Sequence, residues 1–257
     1  MERPVISVII PVLNEAATIR DSIALIPTGR LFLRGFDVEI IVVDNNSHDK
    51  TAFIAKQNNA AVVFEPQPGY GRALKTGFTH ARGEIIVMGD GDGTYPLDDL
   101  EAFLGPILDG SADLITGSRV RGHILPGAMP LMHRYIGVPL LTLLVNVLFG
   151  LRLSDGHCGM RAFTHAALGP MRLTCDGMEF ATEMLIRAKQ AGLRIAEMPI
   201  EYRPRSPSSI SKLRSIRDGW RHLSFMLREF ASALSPQPAE SGLTYIVTDP
   251  TTTNDRE

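Results

Sequence analysis

Hydrophobic and polar positions in the first half of the chain fall into blocks of two periods. Val5-Ile6-Ser7-Val8-Ile9-Ile10-Pro11-Val12 is an apolar, β-branched run, as expected of a strand buried on both faces. A helical stretch opens at Asn14-Glu15 and Thr18 and runs to about Leu25. A second strand over Val38 to Val43 ends in the turn and capping cluster Asp44-Asn45-Asn46-Ser47, before a helix from Lys50. Further strands are predicted at Ala61 to Phe64, Glu84 to Met88 and Asp113 to Thr116, with a helix around Arg72 to Ala81. Strands separated by stretches of ten to twenty residues indicate crossover connections and a mostly parallel sheet. The expected class is α/β, a central sheet flanked by helices.

The second half is less regular. Ile136 to Leu151 carries sixteen residues without a charge, too short for a membrane span and suited to a buried or interfacial helix. Helix pattern resumes at Phe180 to Gln190, a strand follows at Arg194 to Pro199, and Arg205-Ser206-Pro207-Ser208-Ser209 reads as a loop. From Ile210 to about Leu234 a basic amphipathic helix is predicted. It either lies in a membrane interface or docks on its own domain with a solvated basic face. The tail 235–257 reads as disordered.

Composition narrows the function classes. The chain has 257 residues, 44% hydrophobic and 21% charged, enough apolar material for a substantial core. Cys158 and Cys175 are its two cysteines, so neither a disulfide framework nor a structural zinc site is supported. No secretory leader is expected, because Met1 to Pro4 runs straight into the first strand. A calculated pI near 6.4 argues against nucleic-acid binding. The net charge of −2 nevertheless hides an asymmetry. Residues 1–110 hold 15 acidic and 9 basic side chains, whereas residues 203–228 hold seven Lys/Arg and one acid, Asp218. This split points to two electrostatic tasks.

Candidate chemistry gathers where strands end, the place where open α/β sheets bind ligands. Asn14-Glu15, Asp44-Asn45, Asp90-Gly91-Asp92 and Ser118-Arg119 each follow a predicted strand. Two carboxylates one residue apart in a Gly-rich turn, Asp90 and Asp92, suit Mg²⁺ or Mn²⁺ bridging to substrate phosphates. Gly69-Tyr70-Gly71-Arg72-Ala73-Leu74-Lys75 fits neither the dinucleotide fingerprint nor the Walker pattern. A glycine turn opening a helix remains, with Arg72 or Lys75 either packing or approaching a phosphate. Arg119, Arg134 and Arg161 are phosphate-recognition candidates. Cys158 beside His157 lacks a second pair at zinc spacing, and these residues and the other histidines read as packing.

Together these stretches resemble the family 2 GT-A glycosyltransferases, specifically the polyprenyl-phosphate (dolichol-phosphate-type) mannose and glucose synthases. The matching segments are Val8 to Glu15, Ile41 to Ser47, Gly69 to Ala73, Asp90 to Pro96, Gly117-Ser118-Arg119, Asp155 to Phe163 and Ser211-Lys212-Leu213, in order over about residues 5–230. The resemblance implies a GT-A fold over 1–234, with a nucleotide-sugar half at 1–118 and an acceptor half at 119–234. It implies that Pro11, Asn14 and Glu15 line a nucleotide pocket, with Asp44 near the base or ribose. Asp90 and Asp92 match the metal-holding element, with Mg²⁺ or Mn²⁺ as cofactor. Arg119 and Arg134 match positions that grip the acceptor phosphate, and Arg205 and Lys212 fall in the loop that closes over the nucleotide phosphates. Glu183 matches a family acid whose role stays open. Two departures stand out. Asp92 is followed by Gly93-Thr94 rather than Leu, Ser or Gln, and the chain ends in a polar tail where many relatives carry two membrane helices.

The expected reaction is inverting, metal-dependent transfer of a hexose from a GDP-mannose or UDP-glucose type donor to polyprenyl phosphate. Asp92, Arg119 and Arg134 are the catalytic candidates. An acceptor phosphate is already anionic and needs no strong general base. Peripheral contact with the cytoplasmic membrane face is expected. A soluble acceptor, a nucleotidyltransferase and a non-catalytic nucleotide-sugar binder are the alternatives.

Overall fold

A computed structural model describes residues 3–207, 209, 212 and 215–234. The tail expected to be disordered, 235–257, lies outside the described residues, as do positions 210, 211, 213 and 214 at the expected start of the last helix.

Among the described residues seven strands form one sheet: β1 (Val5–Val12), β2 (Asp37–Asp44), β3 (Ala61–Phe64), β4 (Ile85–Met88), β5 (Leu114–Ile124), β6 (Arg161–Thr164) and β7 (Ile195–Tyr202). Their order is β3-β2-β1-β4-β6-β5-β7. All neighbouring pairs are parallel except those of β6, which runs antiparallel to both β4 and β5. The mostly parallel sheet is therefore as expected, and β6 is the element that the hydrophobic pattern did not announce. Four residues following Cys-Gly-Met carry too little periodicity to read as a strand. β5 also runs to Ile124 rather than Thr116, because its polar end pairs with β7 through an irregularity between Ser118 and His123.

The helices between β1 and β5 are α1 (Ile19–Ala24), α2 (Thr28–Leu33), α3 (Thr51–Gln57), α4 (Tyr70–His80), α5 (Leu100–Phe103) and α6 (Gly105–Leu108). Beyond β5 come a π-helical turn (His133–Gly137), α7 (Val138–Phe149), α8 (His165–Met171), α9 (Phe180–Gln190) and α10 (Ser215–Leu234). Alternation along β1 divides the core. Ile6, Val8, Ile10 and Val12 face one hydrophobic layer with Leu97, Leu100 and Leu104; Ile9 faces the other with Leu74, Phe78, Phe163 and Phe180. Both faces of β1 are covered, which is why its sequence is apolar nearly throughout.

The sheet direction sets the site. Chain order reverses between β1 and β4, the switch point at which such sheets leave a crevice beyond the strand ends. β1, β2, β4, β5 and β7 all point their carboxyl ends at that edge. Because β6 is antiparallel, the segment entering it, Asp155 to Met160, arrives at the same edge.

α10 docks on its own domain. Asp218, His222, Phe225 and Met226 form its buried face, and Phe149 and Phe230 meet edge to face at 6.3 Å. Its other face leaves Trp220 68% and Leu227 52% exposed. Next to it, α7 and the π-helical turn expose Tyr135, Ile136, Leu140, Leu143 and Val147. Among the described residues no helix is long and apolar enough to cross a membrane.

Candidate active site

The loops after β1 and β2 are laced to each other. Asn14 takes a left-handed backbone conformation (φ 54), which asparagine tolerates, and its N–H donates to Ser47 Oγ at 2.9 Å. The His48 N–H donates to Asn14 Oδ1 at 2.8 Å, and the Ser47 N–H to Asp44 Oδ1 at 3.0 Å. Asn14 thus holds the turn in which Asp44 is buried, while its own exposed position borders the crevice. Glu15 is buried; its Oε2 accepts from Thr18 Oγ1 at 3.1 Å and its Oε1 lies 3.7 Å from Lys212 Nζ. Pro11, near the end of β1, is half-buried behind this turn.

Asp90 and Asp92 follow β4 in a turn that packs closely on β1: a Cβ on Gly91 would meet Val12 Cγ1 at 2.7 Å. The Gly91 carbonyl accepts from Thr18 Oγ1 at 2.8 Å and Ser22 Oγ at 3.0 Å. Asp92 Oδ1 accepts from the Thr94 N–H at 3.0 Å and Thr94 Oγ1 at 2.7 Å, and Asp92 Oδ2 pairs with Arg205 Nη2 at 2.7 Å. Among the described residues Asp90 accepts one such bond, from the Tyr70 hydroxyl at 3.2 Å. Burial, and then the neighbouring Asp92 charge, push the Asp90 carboxyl up to about 7. No three His, Cys, Asp or Glu side chains converge as a metal cage among the described residues. Two oxygen-donor carboxylates that repel each other in a desolvated pocket fit a hard divalent ion that takes its other ligands from phosphates and water.

At the other end of the crevice, Arg119 is held rather than free. Its Nε and Nη2 donate to Asp155 at 2.6 and 2.8 Å, its backbone N–H reaches the same carboxylate at 3.2 Å, and its guanidinium lies 5.3 Å from the Tyr202 ring centroid. Asp155 is fully buried and is fixed in turn by Glu197 of β7, which accepts from the Asp155 N–H at 2.9 Å and from Ser154. Arg134, in the π-helical turn, is half-buried beside Tyr135, 5.5 Å from its ring. The structure therefore brings Pro11, Asn14, Glu15, Asp44, Asp90, Asp92, Arg119, Arg205 and Lys212 to the carboxyl edge of the sheet. Arg134 stands on the apolar surface element that follows β5.

Several open readings are resolved. Arg72 and Lys75 both pair with Asp176, at 2.6 and 2.8 Å. Gly71 is required by packing: a Cβ there would meet the Cys175 carbonyl at 2.5 Å and Phe180 Cβ at 2.7 Å. Glu183 is buried, and its carboxylate accepts the Thr174 and Cys175 N–H groups at 2.8 Å each, which makes it an anchor for that loop. Arg161 is fully buried beneath the site, donating to the carbonyls of Cys158 (3.1 Å) and Gly156 (3.3 Å). Tyr70, Asp155 and Glu197 are site residues to which the sequence reading gave no role. Tyr70 and Asp155 lie in the matching segments Gly69 to Ala73 and Asp155 to Phe163, whereas Glu197 lies in none.

The model of glycosyl transferase family 2 matches residues 7–169. The low-salt glycan biosynthesis hexosyltransferase Agl6 of Haloferax volcanii is 41% identical over 224 residues, covering 87% of this chain and 53% of the relative. The chain thus spans about half the length of that relative. A dolichyl-phosphate hexose transferase of the same organism is 35% identical, covering 65% of this chain and 71% of the relative. Glucosyl-3-phosphoglycerate synthase of Mycobacterium tuberculosis, solved with Mn²⁺, UDP and glucosyl-3-phosphoglycerate, superposes with a TM-score of 0.63 at 26% identity, over 90% of this chain and 78% of that one.

Proposed function

The chain belongs to glycosyl transferase family 2, and from that premise we propose that it transfers a hexose from a nucleotide sugar to a polyprenyl phosphate, with inversion at the anomeric carbon. Its sheet and helices have the GT-A architecture. The observation that carries the donor side is the desolvated Asp90–Asp92 pair at the sheet's switch point. Asp90 and Asp92 would hold Mg²⁺ or Mn²⁺, which when bound supplies positive charge to the departing diphosphate. The glucosyl-3-phosphoglycerate synthase was solved with Mn²⁺ and UDP, which supports the same cofactor class here.

The chain's own residues account for the rest. Asn14, Glu15 and Asp44 line the donor crevice for the nucleoside, of GDP-mannose or UDP-glucose type. Arg205 and Lys212 lie over its acidic floor. An acceptor phosphate oxygen attacks the anomeric carbon as the bond to the diphosphate oxygen breaks, and the nucleoside diphosphate leaves with the electron pair. The attacking oxygen is already deprotonated, so no general base is required. Asp155 fixes the orientation of Arg119, and Arg134 provides a second cation towards the acceptor phosphate.

A lipid acceptor is supported by the dolichyl-phosphate hexose transferase relative and by the exposed apolar row on α7 and the π-helical turn, in which Arg134 sits. That row, with Trp220 and Leu227 of α10 and the exposed Arg217 and Arg228, would meet the cytoplasmic face of a membrane peripherally. A soluble acceptor is the second reading, favoured by the phosphoglycerate product bound in the structural neighbour. Radiolabelled UDP-glucose and GDP-mannose, incubated with polyprenyl phosphate or phosphoglycerate and then phase-partitioned, separate the two. Label in the organic phase, lost in Asp92→Asn and on chelation of the metal, is the expected result. Label confined to an aqueous product overturns the lipid reading, and undiminished transfer by Asp92→Asn overturns the donor-site reading.

A further inference from the structure

The segment leaving β7 runs along the turn that carries the two carboxylates. The Arg203 N–H donates to the Thr94 carbonyl at 3.0 Å, and its guanidinium pairs with Asp98 at 3.2 Å. Two residues on, Arg205 Nη2 reaches Asp92 Oδ2 at 2.7 Å; the Asp92 side chain is 6% exposed and that of Arg205 27%. The other oxygen of Asp92 already takes both Thr94 donors. Among the described residues the Asp92 carboxylate takes its contacts from Thr94 and Arg205, and this guanidinium offsets part of the pocket's negative charge.

A divalent ion on Asp92 and a guanidinium on the same oxygen neutralise the same charge, and like charges at contact in a desolvated pocket exclude each other. Guanidinium pairs with phosphate oxygens at least as well as with a carboxylate, through the same planar fork. A diphosphate entering the crevice thus offers Arg205 an equivalent partner and frees the Asp92 oxygen. We propose that Arg205 is a resident counter-cation that competes with the divalent ion for Asp92 and is drawn off by the donor's diphosphate, so that metal and nucleotide bind cooperatively. This rests on the reading that Asp90 and Asp92 hold the metal. The linkage is reciprocal: the factor by which nucleotide tightens metal binding is the factor by which metal tightens nucleotide binding. Arg205 accounts for part of that factor, because it weakens metal binding only while nucleotide is absent.

Mn²⁺ binding to the full chain tests this, read from the electron paramagnetic resonance signal of free Mn²⁺, first alone and then with saturating UDP or GDP. Arg205→Gln is expected to bind Mn²⁺ alone about tenfold more tightly than the parent, as suits a partly screened ion pair. The enhancement by nucleotide should shrink at least as much. Arg205→Lys, which keeps the charge without the fork, should fall between the two and guards against a fold defect in Arg205→Gln. Unchanged or weaker binding of Mn²⁺ alone by Arg205→Gln overturns the competition. If Asp92→Asn binds Mn²⁺ with nucleotide as well as the parent does, the metal site itself lies elsewhere, a failure separable from the first.

Discussion

Breaking the pair between Asp155 and Arg119 is the sharpest perturbation the site offers. Asp155 is fully buried and the Arg119 side chain is 9% exposed, with Nε–Oδ2 at 2.6 Å and Nη2–Oδ1 at 2.8 Å. Burial alone would raise the Asp155 carboxyl, but Arg119 and the donated hydrogen bonds outweigh it and hold the group below the usual carboxylate range. Asp155→Asn preserves shape and turns one acceptor oxygen into an NH₂ that faces a guanidinium donor. A buried positive charge is left short of its counter-ion, which costs about 3–5 kcal/mol. Against a typical domain stability of about 5–15 kcal/mol, that is a large fraction. Urea unfolding, read as midpoint and slope, measures the loss. A double replacement, Arg119→Met with Asp155→Leu, should recover much of the stability, because it removes both charges, yet restore no transfer activity. A loss below about 1 kcal/mol in Asp155→Asn would refute the view that this pair fixes the proposed acceptor end of the crevice.

Two further perturbations test the packing around the site. His157 Nε2 and His222 Nδ1 meet at Thr182 Oγ1, at 3.2 and 2.6 Å, and burial holds them near 3 and 4, with His222 adding to the depression at His157. Both values lie below the ordinary value of about 6.5, so the unfolded chain binds protons that the fold refuses; the contribution of these two groups is flat above about pH 7 and falls by up to ~1.4 kcal/mol per pH unit per histidine on acidification from about 6.5 towards 4, opposed over the same range by the raised Asp90, which holds its proton more tightly in the fold. Melting temperatures across that range should decline less steeply in His222→Gln, and an unchanged slope in that variant contradicts the assignment. Gly71→Ala should destabilise by about 1–3 kcal/mol, because its methyl would collide with the Cys175 carbonyl and Phe180; a melting temperature equal to the parent's would show that α4 and α9 can part without cost.

How much of this was legible in the sequence depends on how local the determinant is. β1, β2 and β4 were readable because strands covered on both faces need β-branched runs, and the polar clusters after them were readable as strand ends. The carboxylate pair was visible because both residues sit in one turn. What escaped rests on partners far apart in the chain. Glu197 fixes Asp155 across 42 residues, Arg72 meets Asp176 across 104, and β6 exists only because β4 and β5 leave a slot between them. Arg119 shows the same limit. Its residue type suggested a free phosphate grip, whereas the fold commits two of its donors to Asp155, a choice no local pattern encodes.

The charge asymmetry takes its meaning from the same long-range pairing. The acidic first 110 residues and the basic 203–228 segment suggested two tasks directed at two external partners. In the fold, Arg203 pairs with Asp98, Arg205 with Asp92 and Lys212 stands near Glu15, so three cations of the basic segment turn back on carboxylates of the acidic half. Arg221 is likewise engaged, by Glu179 at 2.8 Å. A segment that neutralises the proposed donor crevice from within has a different consequence from one that only attracts lipid. Its cations must exchange partners when an anionic ligand enters, and that exchange offsets much of the electrostatic gain on binding. Nucleotide affinity should therefore depend on salt less steeply than seven basic residues would suggest, because each ion pair formed with the ligand replaces one broken inside the chain.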